Sequence, residues 1–388
     1  MNRVVQRLQP FQQTIFATMT EKAIEHNAVN LGQGFPDEDG PRPMLERAAQ
    51  EILHGNNQYG DGRGHTELRE AISRQRERAR GQHYDPETDI LVTVGATEAI
   101  AATVLGLVEP DSEVILIEPY YDVYAAAVAL AGAKRVGVPL IPNGKSWTLD
   151  FDALDAAISE KTSLLILNTP HNPTGAVLGR DVLERLARTC VEHDIVVLSD
   201  EVYEYLTFNN REHVSIASLP GMRERTVVVS SAAKTLNVTG WKTGWALAPA
   251  ELLAGVVKAK QFMSYVGATP VQPAVAYALD NEEEWIHGLV DSLDRKRQKL
   301  ADGLRAAGFD VHDTNGTYFI VVDISPLGYK DGVQFCMDLP EKCGVAAIPV
   351  QVFTDDESPW KTKVRFAFCK RDEVLDEAIR RLHALNES

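Results

Sequence analysis

The sequence predicts an α/β protein, with a large domain built on a mostly parallel sheet of the seven-stranded type, covered by helices, and a smaller α+β domain. Three observations lead there. From residue 90 to 235, short aliphatic and β-branched runs alternate with helical patterns, as a parallel sheet buried on both faces requires. Beyond residue 285 the pattern changes to one long helix, a few short strands and a final helix. At 388 residues the chain also exceeds one ordinary core. The expected division is 1–45 as an N-terminal arm belonging to the small domain, 46–284 as the large domain and 285–388 as the small domain.

Composition narrows the class. With 44% apolar and 24% charged residues the chain is an ordinary globular one. A formal charge of −16 argues against nucleic acid as a partner. Cys190, Cys336, Cys343 and Cys369 form no CxxC pair and no metal-ligand spacing, which reads as a reduced cytoplasmic protein without a metal site. No stretch approaches the ~18–20 apolar residues of a membrane span. The first residues lack the apolar core of a signal peptide.

In chain order, a helix is expected at Phe16–His26, followed by the Gly/Pro-punctuated loop Leu31–Pro36, where backbone can approach a ligand closely. Helical patterning over 43–54 leads into the glycine-rich segment Asn56–Gly64, which carries one aromatic, Tyr59. A helix over 66–80 contains the basic run Arg74–Arg80, read as a solvated face. Ile90–Val94 then runs into Gly95-Ala96-Thr97 and a helix; a strand, a glycine turn and a helix start together expose free N–H groups to an anion. Val114–Ile117 ends at Glu118-Pro119-Tyr120-Tyr121, and Leu164–Leu167 at Asn168-Thr169-Pro170-His171-Asn172-Pro173. Ile195–Leu198 ends at Ser199-Asp200-Glu201-Val202-Tyr203. The β-branched run Thr226–Val229 stops in small residues and then Lys234, with Lys242 eight residues on. Past 285 come a helix at Glu282–Ala307, strands at Phe309–His312, Tyr318–Val322 and Val364–Phe368, and a helix from Asp372.

Ligands bind just past the carboxyl ends of such strands. One rim would therefore carry an anion pocket, an aromatic face, an amide, a carboxylate, a phenol and an amine. Those parts suit a phosphorylated aromatic aldehyde held as an imine, with the carboxylate pairing a protonated ring nitrogen.

The segments His171–Gly175, Asp200–Tyr203, Ser231–Lys234 and Gly240-Trp241-Lys242 resemble the class I aminotransferases of pyridoxal-phosphate fold type I, across essentially the whole chain. Leu31–Pro36 narrows the resemblance to the kynurenine/glutamine/methionine branch. Leu31–Pro41, Ser230–Lys234 and Phe368–Asp372 are similar to actinobacterial N-succinyldiaminopimelate aminotransferases. The resemblance implies pyridoxal 5'-phosphate as cofactor. It makes Lys234 the imine-forming amine and proton shuttle, and Asp200 the partner of the ring nitrogen. Tyr203 and Asn172 would bond the phenolic oxygen, with the Asn172–Pro173 bond cis. Tyr121 would stack on the ring, and Gly95, Ala96, Thr97, Ser231 and Lys242 would take the phosphate. Tyr59 would reach the phosphate of a second subunit in a homodimer with shared sites. Arg365 would grip the substrate α-carboxylate beside Gly34, while Phe16 and Tyr265 line the substrate pocket.

Three departures stand out. Lys242 replaces the arginine of aspartate aminotransferases. Tyr265-Val266 stands where kynurenine-type enzymes carry an aromatic and a histidine, and Phe16 where that branch often has tryptophan. The expected reaction is amino transfer between an amino acid, by implication glutamate, and a small 2-oxo acid. By resemblance the other pair is N-succinyl-2-amino-6-oxopimelate and N-succinyl-diaminopimelate in lysine biosynthesis. A broad methionine, glutamine or aromatic aminotransferase and a C–S β-lyase are the alternatives.

Overall fold

The computed structural model describes residues 3–386. The N-terminal part holds α1 (Ile15–Glu25), β1 (Val29–Asn30), α2 (Arg42–His54) and α3 (Thr66–Arg80). There follow β2 (Ile90–Val94), α4 (Gly95–Leu107), β3 (Glu113–Glu118), α5 (Asp122–Ala131), β4 (Lys134–Asn143) and β5 (Ser146–Leu149). Next come α6 (Phe151–Ala157), β6 (Thr162–Asn168), α7 (Arg180–Glu192), β7 (Val196–Asp200), β8 (Thr226–Ser231), α8 (Ala232–Thr235) and β9 (Thr243–Leu247). Helices α9 (Ala250–Lys260), α10 (Gln272–Asn281) and α11 (Glu283–Ala306) lead to β10 (Asp310–Val311) and β11 (Phe319–Asp323). The chain finishes with α12 (Gly332–Cys343), β12 (Val345–Ala346), β13 (Ile348–Pro349), β14 (Lys363–Ala367) and α13 (Asp372–Leu382).

The large sheet runs in the order β2-β9-β8-β7-β6-β3-β4-β5. Its centre, from β8 through β4, is parallel. Strand β9 lies antiparallel to both its neighbours. Helices cover both faces, so Leu164–Leu167 and Val227–Val229 are buried without alternation, which is why these strands read as continuous apolar runs. Strands β4, β5 and β9 are not individually expected from the sequence, and β5 folds back on β4 through Gly144-Lys145. Gly144 sits at φ +63, which the first central residue of such a two-residue turn needs.

The second sheet, β10-β11-β14-β13, is antiparallel throughout. The pairing of β1 with β12 ties the N-terminal segment to it. The predicted elements of this region appear with ends displaced by one residue, as where Val364–Phe368 is Lys363–Ala367.

Two expectations are corrected. The basic run on α3 is a solvated face only in part: Arg74 and Arg78 are exposed, but Arg76 is 1% exposed. Its guanidinium lies 2.7 Å from Glu201 and 2.7 Å from Glu204, acids that follow β7, and α3 packs so that this charge is neutralised inside. Lys234 does not end a strand either: β8 stops at Ser231 and the lysine stands on the helical turn α8 beyond it. Among the described residues no helix is long and apolar enough to cross a membrane.

Candidate active site

A cavity of about 390 Å³ opens at the carboxyl ends of the central strands. Gly95, Ala96, Thr97, Tyr121, Asn172, Asp200, Tyr203, Ser231, Lys234 and Lys242 line it from the large sheet. Phe16, Gly34 and Arg365 close it from the other side. Two expected residues lie outside this lining. Tyr59 is 83% exposed, and Tyr265 stacks edge-on against it with ring centroids 5.7 Å apart.

One end of the cavity is built for an anion. Gly95 opens α4 at φ +70, so the first N–H groups of the helix point into the cavity with the favourable end of its dipole. A side-chain carbon at Gly95 would stand 3.3 Å from the Lys242 amine. Strand β9 presses in behind: a Cβ at Gly244 would lie 2.6 Å from the Ala96 nitrogen, so only glycine fits there.

At the other end Asp200 terminates β7, fully enclosed. Its carboxylate accepts from the Tyr124 hydroxyl at 2.6 Å and the Val202 N–H at 3.2 Å. Burial pushes the carboxyl up to about 6, against the pull of the Tyr124 bond. Glu201, next along the chain, points the opposite way. It accepts from Arg76, Ser199, Ser215 and the His213 ring. Burial opposes its charge, but Arg76 and His213 hold the carboxylate well below the usual range.

Between the two ends stands Lys234, its Nζ 5.8 Å from the centre of the Tyr203 ring and 5.5 Å from that of Tyr318. Enclosure lowers its pKa to about 8, while Cys369 and Asp200 work to raise it. Asn172 follows β6, and its N–H donates to the Asn168 side chain at 2.8 Å. The Asn172–Pro173 bond is cis.

Arg365, in the middle of β14, donates to the Asn172 Oδ1 at 2.8 Å and to the Gly32 carbonyl at 2.9 Å. Its guanidinium carbon sits 3.9 Å over the Phe319 ring, and its buried Nε has no partner among the described residues. Both acceptors are neutral, and burial brings its pKa down to about 10, with Asp122 pulling the other way. A buried guanidinium in that condition attracts a carboxylate strongly. The loop after β1 is stitched to the same side. Leu31 accepts from the Ala367 N–H, Gly34 from the Tyr318 hydroxyl, Phe35 from the Lys370 amine, and Glu38 pairs with Lys296.

Sequence reasoning missed Tyr124, Asn168, Phe319 and Phe353. Tyr124 had a signal, since it lies three residues after Tyr121 on the same helix face. Asn168 donates to the Asp200 carbonyl at 2.9 Å. Phe319 lies on β11 and Phe353 on a short 3-10 turn between β13 and β14, both remote in sequence from the other site residues. Among the described residues no group of His, Cys, Asp and Glu is arranged to hold a metal ion.

The family model of aminotransferase class I and II matches residues 26–382. The chain belongs to that family. This aminotransferase is 56% identical over 391 residues to a probable N-succinyldiaminopimelate aminotransferase of Mycobacterium tuberculosis, covering 99% of this chain and 98% of that one. A solved structure of N-succinyldiaminopimelate aminotransferase from Mycobacterium tuberculosis superposes with a TM-score of 0.97 at 57% identity, over 98% of this chain and all of that one. The methionine aminotransferase of Escherichia coli is 42% identical over 372 residues, 96% of each chain. The aminotransferase thus shares its α/β architecture and its whole length with these enzymes.

Proposed function

We propose that this aminotransferase uses pyridoxal 5'-phosphate and moves the amino group of glutamate onto N-succinyl-2-amino-6-oxopimelate, giving N-succinyl-diaminopimelate for lysine biosynthesis. The observation that carries the substrate is the 56% identity sustained along 99% of the chain to a relative of that name. The cofactor rests on the family and on the cavity. The anion cradle of Gly95 and Lys242, the raised carboxyl of Asp200 and the enclosed amine of Lys234 match the phosphate, ring nitrogen and aldehyde of that group.

When bound, the cofactor supplies an aldehyde for the amine and an electron-withdrawing ring for the substrate Cα–H bond. The chain's own residues do the rest. The Ala96 and Thr97 N–H groups, Ser231 and Lys242 hold the phosphate. Asp200 would accept a charge-assisted hydrogen bond from the protonated ring nitrogen, which favours its ionised form. Tyr203 and Asn172 donate to the phenolic oxygen, and Tyr121 covers the ring face. Arg365 grips the α-carboxylate beside the Gly34 backbone, and Lys234 would carry the proton between the substrate Cα and the former aldehyde carbon. Arg365 and its stitched loop belong to the part formed by residues 1–45 and 285–388, whose closure over substrate excludes water.

The functional unit is a cytoplasmic homodimer in this reading. Tyr59 and Tyr265 serve the site of the second subunit, and exposed Phe262, Met263 and Leu53 provide apolar surface for the contact. The four cysteines are free thiols, in keeping with a reducing compartment.

A second reading, a broad enzyme for methionine and aromatic amino acids, is favoured by one observation: Phe16, Phe35 and Phe319 give the cavity apolar walls. The deciding measurement is kcat/KM for N-succinyl-diaminopimelate against methionine and kynurenine at equal 2-oxoglutarate. The dedicated enzyme prefers the succinylated substrate by well over tenfold; a preference below about tenfold, or 1.4 kcal/mol, leaves the broad enzyme standing.

A further inference from the structure

Lys260 closes α9 at 1% exposure, far from any role assigned above. Among the described residues no carboxylate contacts its ammonium. Instead it donates to two main-chain carbonyls, Gly62 at 2.8 Å and Tyr265. Those carbonyls sit on separate loops. One is the glycine-rich segment that carries Tyr59, the other the turn after α9.

The second loop is strained. Tyr265 adopts φ +61, and the Val266 N–H donates to the Ser264 carbonyl at 2.7 Å across it. That combination is a γ-turn of positive φ, a rare conformation for a bulky residue. The loops also meet at van der Waals limits, because a Cβ at Gly62 would stand 3.1 Å from the Tyr265 ring. Both rings project outward, Tyr265 half exposed and Tyr59 more so. Such strain persists only where surrounding structure holds it. Here the buried ammonium holds the carbonyl of the strained residue itself.

We propose that Lys260 is a positioning residue for the neighbouring subunit's site: it clamps the two loops so that Tyr59 and Tyr265 are set, as one rigid pair, before the second subunit meets them. This rests on the shared-site reading above. A charged amine suits the task because three donors can satisfy two carbonyls from separate loops, which no apolar side chain of that length does. A preset pair spares the cost of ordering it on binding.

The test uses the holoenzyme and the variants Lys260→Met, Tyr59→Phe and Gly62→Ala. Lys260→Met should stay dimeric by sedimentation but lose borohydride-fixable cofactor about tenfold faster on dilution, the penalty for one contact no longer pre-ordered. In hybrid dimers with Lys234→Ala, the single site with its lysine receives loops from the subunit whose Lys260 is intact. Cofactor retention there should return to that of the unmodified enzyme. Unchanged retention in Lys260→Met overturns the proposal. So does a Lys260→Met hybrid that fails to recover while a Tyr59→Phe hybrid recovers, since the lysine then acts within its own subunit. If neither hybrid recovers, the shared-site reading itself falls. Should Lys260→Met fail to fold by circular dichroism, Gly62→Ala decides. It keeps the lysine and pushes on the Tyr265 ring, so the same loss and the same rescue are expected, and normal retention overturns the clamp.

Discussion

Lys234 and Asp200 depart from ordinary acidity in opposite directions for one reason, because enclosure disfavours whichever form carries charge. The amine is lowered to about 8 and the carboxyl raised to about 6. Only the neutral amine attacks an aldehyde. The rate at which apoenzyme takes up cofactor should therefore climb with pH up to about 8 and level off above it, because the neutral fraction grows about tenfold per unit below the pKa and saturates above. Stopped-flow absorbance checks this, and a rate flat across that range would contradict it. Tyr124 bears on the carboxyl. Its 2.6 Å bond lowers the pKa of Asp200, so Tyr124→Phe lets it rise further. The acidic limb of the kcat profile should move to higher pH in that variant, and an unmoved limb would argue that the ring nitrogen alone sets the state of Asp200.

At the scale of elements, two packings place the chemistry. The loop after β1 lies so close to β11 that a Cβ at Gly34 would stand 2.6 Å from the tip of Phe319, the ring on which Arg365 rests. Gly34→Ala should raise KM for every α-carboxylate substrate by about tenfold, since a displaced fork loses alignment first. Overpacking of this kind costs about 1–3 kcal/mol, so the fold survives and calorimetry should show one cooperative transition. Behind the site, α3 is bound to the segment after β7 through Arg76, Glu201 and Glu204. Arg76→Met takes their shared guanidinium from two buried carboxylates, leaving Glu201 with His213 and Glu204 with Arg80, at about 3–5 kcal/mol by urea denaturation. A loss under about 1 kcal/mol would mean that water reaches the cluster and compensates.

For the whole molecule the decisive question is whether one chain completes its own site. The cavity holds every predicted cofactor-facing residue except Tyr59, which points to solvent beside Tyr265. Mixing inactive Lys234→Ala with weakened Tyr59→Phe should therefore regenerate one good site per hybrid dimer. Recovery of activity after verified subunit exchange is the expected result; none would place Tyr59 outside catalysis. Closure belongs to the same scale. Arg365 and Lys234 approach from opposite sides of the cavity, so substrates lacking an α-carboxylate should show depressed kcat as well as raised KM.

The sequence alone determined the alternation of buried strands and helices, and hence the rim at which Asn172, Asp200, Ser231 and Lys234 gather. Each of these residues lies at or just past a strand end, and a parallel sheet brings all its strand ends to one edge. It also revealed the anion turn, because a strand, a glycine and a helix start are contiguous in the chain. Tertiary structure decided what depends on distant partners. Arg76 reads as one more surface cation until α3 meets acids more than a hundred residues away. Phe319 and Phe353 become the bed of Arg365 only when antiparallel strands and the loop between them fold over the sheet. Lys260 gains meaning only where two loops cross it. Local sequence encodes backbone form and the order of strand ends; which charges are neutralised and which rings touch is settled by packing between segments that share no sequence neighbourhood.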